Sequence, residues 1–137
     1  MSVLVDTSFL FSLTDTNDRH HESVAAVTQT MTEPLIISLT VLPEICYLIA
    51  SRLGHNVMRR FLRELVSSDA ELEAPTRSDL QRSQQILDQY ADSRLDFVDT
   101  TLVAIAERRN ITRILTLDRR DFTMIRPRHC AYFEILP

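Results

Sequence analysis

Lysine is missing from this 137-residue chain: all fifteen basic side chains are arginine. Without it there is no P-loop lysine, no Schiff-base lysine and no lysine of a phosphoacceptor site. Glycine occurs once, at Gly54, which excludes Gly-rich phosphate cradles such as GxGxxG or a Walker A loop. Two cysteines, Cys46 and Cys130, make no disulfide framework, and there is no CxxC pair for zinc or redox chemistry. No apolar run approaches the ~20 residues that span a bilayer. The opening stretch MSVLVDTSF has no basic segment and carries Asp6. No secretory signal is expected, and a reducing cytoplasm is the expected compartment. Positive charge is not in excess either. At a net charge of -4 the molecule as a whole does not attract nucleic acid, although clustered carboxylates with arginines at their rim remain compatible with it.

What is present is an ordinary globular composition, 45% hydrophobic and 25% charged. Its length fits one domain, residues 1–137, with no linker or repeat. Val3-Leu4-Val5 reads as a buried strand that stops at Asp6. Thr7 or Ser8 is expected to cap a short helix over Phe9 to Leu13. A second helix is expected from about Arg19 to Met31, then a strand at Pro34 to Ile37. Ser38 or Thr40 is expected to cap a helix from Leu42 to Leu53, which Gly54 ends. Asn56 to Val66 has helical period, Leu72 fits a short strand, and Pro75-Thr76 opens a helix to about Tyr90. Phe97 to Arg109 is a strongly apolar helix. Arg113 to Leu117 is a strand that again ends at a carboxylate, Asp118, and Tyr132 to Leu136 is a terminal strand. Strands alternating with helices give an α/β class with a mostly parallel sheet. Such sheets bind ligands beyond the carboxyl ends of their strands.

The candidate chemistry is acidic. Asp6 and Asp118 leave hydrophobic strands, VLVD and ILTLD, at that edge. Glu44 interrupts the apolar helix LTVLPEICYLIA, and Asp99 interrupts LDFVDTTLVAIA, with Asp96 three residues earlier on the same face. Each acid alone has an ordinary alternative. Asp6 could cap the next helix, Asp99 could be a first-turn acid favoured by the helix dipole, and Asp118 could open a turn. Together they are expensive. Two carboxylates about 5 Å apart repel by roughly 3 kcal/mol at an effective dielectric of 20, and four around one pocket by on the order of 15–20 kcal/mol. Protons or a hard divalent cation must offset that, and Mg²⁺ or Mn²⁺ suits an all-oxygen site. Phosphodiester hydrolysis is the reaction that best matches such a site.

The stretches VLVDTSFL, TVLPEICYLIA, LDFVDTTLVAIAE and ILTLDRRDF, in this order and spacing, resemble the PIN-domain ribonucleases, in particular the VapC-type toxins of prokaryotic toxin–antitoxin pairs. The likeness spans essentially the whole chain. It implies a PIN-like three-layer α/β/α fold and a metal-dependent endoribonuclease that cuts RNA with Mg²⁺ or Mn²⁺. Asp6, Glu44, Asp99 and Asp118 match the family's acids, Asp118 standing where many relatives carry Asn. Asp96 occupies an often-acidic position, and Thr7 and Ser8 match small hydroxyl neighbours of the first acid. LTLDRRDF and the terminal F-x-I-x-P look like the subgroup that cuts the sarcin–ricin loop of large-subunit ribosomal RNA; tRNA is the other structured translation RNA in view. The resemblance also implies a cognate antitoxin and a homodimer; no membrane partner is expected, because no apolar run is long enough to span one.

On this reading Asp6, Glu44 and Asp99 form the primary metal shell, completed by Asp118 and Asp96. Ser8 and Thr116 orient ligands, and Arg119 and Arg120 flank Asp118, either gripping flanking phosphates or, for Arg120 above all, lying in a solvated turn. Asp121 is expected to cap the next turn, and His20-His21 to lie in an exposed polar loop. The stripe Phe61, Leu62, Leu65 and Val66 is core packing or a groove for a partner helix. Two other functions compete: a phosphotransfer domain with Asp6 as nucleophile, disfavoured by Ser8 and the absent lysine, and a catalytically silent PIN-like RNA- or protein-binding module.

Overall fold

Val3, Leu4 and Val5 are buried on both faces and form β1 (Val3–Val5), the central strand of a five-stranded sheet. A strand with no polar face belongs in the middle of a covered sheet. The others are β2 (Leu35–Ser38), β3 (Glu71–Glu73), β4 (Arg113–Leu115) and β5 (Glu134–Leu136), in the order β3-β2-β1-β4-β5. Every neighbouring pair is parallel, so the sheet is wholly rather than mostly parallel. The computed structural model describes residues 1–137. Helices α1 (Thr7–Thr14) and α2 (His21–Thr30) connect β1 to β2, and α3 (Val41–Arg52) and α4 (His55–Ser67) connect β2 to β3. Helices α5 (Arg77–Gln89) and α6 (Phe97–Arg109) lead to β4, and α7 (Arg119–Met124) leads to β5. Helix α1 packs on α2 and α3, and α3 on α4; α5 and α7 pack on α6. Right-handed crossovers put these two groups on opposite faces of the sheet.

This order positions a site. The chain steps outward from β1 to β2 and β3, then returns to β4 on the other side of β1. Connections leave β1 and β4 in opposite directions, which opens a crevice at their carboxyl ends. The register pairs Leu4 with Ile114 and Val5 with Leu115, so the next residues, Asp6 and Thr116, emerge side by side.

Helix α6 is apolar nearly all round, and Thr100 to Ala106 are all buried. A helix without a polar stripe is driven to the interior. Asn110, in the left-handed region at φ 56°, ends it. Gly54, at φ 110°, makes the turn between α3 and α4 that the lone glycine predicted. Three local expectations change. Helix α1 starts at Thr7, capped by Asp6 rather than by Thr7 or Ser8. Thr40 precedes α3 but makes no capping bond; its hydroxyl contacts Ser38 Oγ at 2.8 Å and Thr101 Oγ1 at 2.9 Å. Strand β4 stops at Leu115, which frees Thr116 and Leu117 for the crevice.

Arginine and carboxylate pairs lace the α5–α6 layer to the sheet edge. Arg108 bonds Glu73 at 2.6 Å and Asp79 at 3.0 Å, Arg109 bonds Glu71 at 2.8 Å, and Arg82 bonds Glu107 at 2.7 Å. Asp79 is buried and also closes a capping box with Thr76 at the start of α5. The Arg108 guanidinium and the Thr76 backbone N–H hold its carboxyl below the usual range despite burial. Asp79→Ala is expected to destabilise the fold by about 2 kcal/mol, by removing a cap and leaving Arg108 without its buried partner. Arg77→Ala, exposed in the same turn, should cost under about 0.5 kcal/mol. Urea denaturation of the two variants checks the contrast.

Candidate metal centre

Asp6 is buried at the end of β1, and both its oxygens are bonded. Oδ1 accepts from the Thr7 backbone N–H at 2.8 Å. Oδ2 accepts from Thr116 Oγ1 at 2.7 Å and from Ser8 Oγ at 3.2 Å. The two hydroxyls are themselves oriented. Thr116 Oγ1 accepts from the Asp118 N–H at 2.9 Å, and Ser8 Oγ accepts from the Leu117 N–H at 3.0 Å. With backbone donors on their lone pairs, both are turned to donate to Asp6. Capping and site-building, alternatives for Asp6 in the sequence, coexist in one side chain. Burial pushes its carboxyl up to about 6; the bonds from Thr116, Thr7 and Ser8 oppose the shift, and the charge of Glu44 adds to it.

Asp99 projects from the first turn of α6 and is buried. One carboxylate oxygen each of Asp99, Asp118 and Asp121 lie within 4.8 Å of one another. The Asp99 carboxyl is driven far above the carboxylate range, first by burial, then by the charge of Asp6 and by contacts with Asp121 and Asp118. Asp118 caps α7, accepting from the Asp121 N–H at 3.3 Å. Asp121 thus does not cap the turn, as its sequence position suggested; it is buried, and its carboxylate also accepts from Arg120 at 2.9 Å. The helix that turns it inward, with Phe122 packed in the core, was not legible from LTLDRRDF.

Asp6, Asp99 and Asp118 line one cleft of about 400 Å³ together with Glu44 and Asp96. Glu44 is half-buried on α3, outside the tight triad. Asp96 is exposed and caps α6, accepting from the Val98 N–H at 2.6 Å. Arg119 does not line the cleft; its guanidinium donates to the main-chain oxygen of Pro137, and Arg120 donates to Asp121 and Ser93. Sequence reasoning missed Asp18, His20 and Arg52, which also line it. His20 is half-buried there rather than out in a solvated loop, while His21 bonds the Ser12 carbonyl through Nδ1 at 2.9 Å. Arg52 was readable: Glu44, Leu48 and Arg52 share one helix face at successive intervals of four. The tight donor set is all carboxylate oxygen and over-charged when empty, which suits a hard divalent cation of the Mg²⁺ or Mn²⁺ kind.

A second groove, of about 880 Å³, lies between α1, α4 and the start of β2, floored by Leu10, Leu13, Leu35, Phe61 and Leu65. Of the stripe Phe61, Leu62, Leu65 and Val66, only Phe61 and Leu65 line it; Leu62 and Val66 face solvent. No helix is long and apolar enough to cross a membrane.

The family pattern of the PIN domain matches residues 3–126 of this chain. The chain belongs to the PIN-domain family, and the resemblance read from its four motifs is borne out. It is 31% identical over 135 residues to Ribonuclease VapC26 of Mycobacterium tuberculosis, covering 98% of this chain and 100% of that one. Its fold matches that of VapC20 of the same organism, a sarcin–ricin loop cleaving toxin, with a TM-score of 0.85 at 21% identity over 98% of this chain and 99% of that one. It also matches VapBC2 from Rickettsia felis bound to a promoter DNA fragment, with a TM-score of 0.74 at 13% identity over the full length of both chains.

The raised carboxyls set a pH dependence. Without a cation, folded Asp6 and Asp99 keep protons that the unfolded chain has released, so stability falls as pH rises. The loss runs from the ordinary value of 3.8 to about 6 through Asp6 and continues above that through Asp99. A cation that displaces those protons should therefore raise the melting temperature more at about pH 8 than at about pH 5. Asp99→Asn should raise the cation-free melting temperature and abolish most of the gain from Mg²⁺. Thermal melts with Mg²⁺ and with EDTA read both; a gain independent of pH would contradict the assignment.

Proposed function

We propose that the chain is a divalent-cation-dependent endoribonuclease acting in the cytoplasm as the toxin of a VapBC-type pair. The observation that carries this is the convergence of Asp6, Asp99 and Asp118 on one cleft at the sheet's switch point, where burial and neighbouring carboxylates raise the carboxyls of Asp6 and Asp99. Family membership and the 31% identity to a named ribonuclease support it. Asp6, Glu44, Asp99 and Asp118 are the ligands and catalytic groups in this reading, with Asp96 at the cleft edge. Asp121 joins Asp99 and Asp118 in holding the ion. A Mg²⁺ or Mn²⁺ ion held there would supply an activated water and neutralise charge on the phosphoryl oxygens. The chain's own share would be to fix the ligand oxygens and to offer a cleft carboxylate as proton acceptor. Ser8 and Thr116 fix Asp6 through the bonds described.

The apolar groove beside α4 suits an antitoxin segment, its floor of leucines and Phe61 edged by Arg60, Glu64 and Asp69. Complexes named VapBC share this fold. A homodimer belongs to the same reading. The sarcin–ricin loop is the first target to test and tRNA the second.

Purified protein should cleave RNA with Mg²⁺ or Mn²⁺, stop on EDTA, and lose cleavage as Asp6→Asn. Thr116→Val, which removes one bond to Asp6, should retain the fold and lose about 10–100-fold in rate. RNA bound but never cleaved would favour the silent module instead.

A further inference from the structure

The cleft is polarised along its length. Helices α1 and α3 both leave the carboxyl ends of parallel strands, so they run the same way from the acid end. On α3 the lining residues are Glu44, Leu48 and Arg52, and Arg52 sits about 12 Å beyond Glu44 at 1.5 Å per residue. On α1 they include Ser8, which holds Asp6, and one turn further Phe11 and Ser12. The Arg52 guanidinium lies over the Phe11 ring, 5.5 Å from its centroid. Ser12 Oγ donates to Asp18 at 3.1 Å, Asp18 accepts the His20 backbone N–H at 2.8 Å, and the His20 ring, which also lines the cleft, accepts from Arg19 Nε at 3.1 Å. The acid end carries Asp6, Glu44, Asp99 and Asp118, and the other end carries the Arg52 guanidinium beside a single carboxylate, Asp18.

Arg52 is the only arginine lining the cleft, and it pairs with none of the acids that share it. Six of the other arginines are tied to carboxylates. Its donors are free, while the aromatic face beneath limits its side-chain freedom. The local acid, Asp18, accepts from Ser12 and the His20 backbone N–H through Oδ1 and makes no ion pair with Arg52.

We infer that Arg52, braced on Phe11 and flanked by His20 along the cleft, grips a backbone phosphate of the RNA next to the one that is cut. This rests on the ribonuclease reading above and adds to it the residue that sets where the strand lies. A planar guanidinium fork matches phosphate oxygens, and such contacts fix position rather than sequence. With the cut phosphate at the acid end and its neighbour on Arg52, two points of one strand are held and the cut bond stays in register with the acids.

The test measures anisotropy of a fluorescein-labelled single-stranded RNA oligonucleotide of mixed sequence, in the Asp6→Asn background with Mg²⁺, over a salt series. Arg52→Gln should weaken binding about tenfold and flatten the log K against log salt slope by about 0.7, the loss of one phosphate contact on a single strand. Arg52→Lys should keep the slope and lose only part of the affinity. Arg77→Gln, an exposed arginine outside the cleft, should leave the slope unchanged. In the active chain Arg52→Gln should lower kcat/KM about tenfold, through KM. The proposal is overturned if Arg52→Gln leaves affinity and slope intact, if Arg77→Gln matches it, or if the loss falls on kcat. Cleavage that survives Asp6→Asn would instead remove the ribonuclease reading of the acids, with the slope comparison still readable.

Discussion

Repulsion among buried carboxylates is the constraint around which this molecule is arranged. Asp99 enters the crevice from a helix buried through Ala106, Asp6 from the most buried strand, and Asp118 from the cap of a short helix that turns Asp121 inward beside it and is anchored by Phe122. Asp6, Asp99 and Asp121 cannot retreat to solvent without unpacking the core. The protein therefore carries a local instability that only protons or a cation relieve, and hydroxyls and backbone N–H groups around Asp6 limit it without removing it. Stability is marginal overall, so a conflict of a few kcal/mol here is a sizeable fraction of the whole.

The fold makes that conflict useful. A wholly parallel sheet whose strand order reverses beside β1 delivers two strand ends to one crevice. Hydrogen bonds from Thr116 and Ser8 to Asp6 then tie those ends together. The layer of arginine and carboxylate pairs on α5 and α6 sits away from the cleft and holds the helix that bears Asp99. Arginine thus serves as the only basic residue in two settings: paired for scaffold, and unpaired in the cleft at Arg52.

Much of this was legible in the sequence because hydrophobic runs that end in an acid have few physical readings. VLVD and ILTLD predicted the strands and the edge from which their acids emerge, and an acid inside LDFVDTTLVAIA had to be paired or functional. What escaped was geometry that depends on short elements. The six-residue α7 has too few positions to show a period, so Asp121 was read as a cap when Asp118 takes that place. Asp6 caps α1 through Oδ1 and still lines the cleft, because its other oxygen is held by Thr116 from the neighbouring strand end. His20 was assigned to a solvated loop because the link from Ser12 through Asp18 that brings it to the cleft is tertiary. Arg119 is a neighbour of Asp118 in sequence, but its guanidinium donates to the Pro137 main-chain oxygen and lies outside the cleft lining.

The protonation state of Asp99 tests the account most directly. Carboxyl carbon shifts of the aspartates, followed by NMR against pH, report it residue by residue. The account predicts that, without a divalent cation, Asp99 carries a proton at neutral pH and that Mg²⁺ titrated at constant pH converts it to the carboxylate. An Asp99 already ionised at neutral pH, with a shift that Mg²⁺ leaves in place, would contradict it.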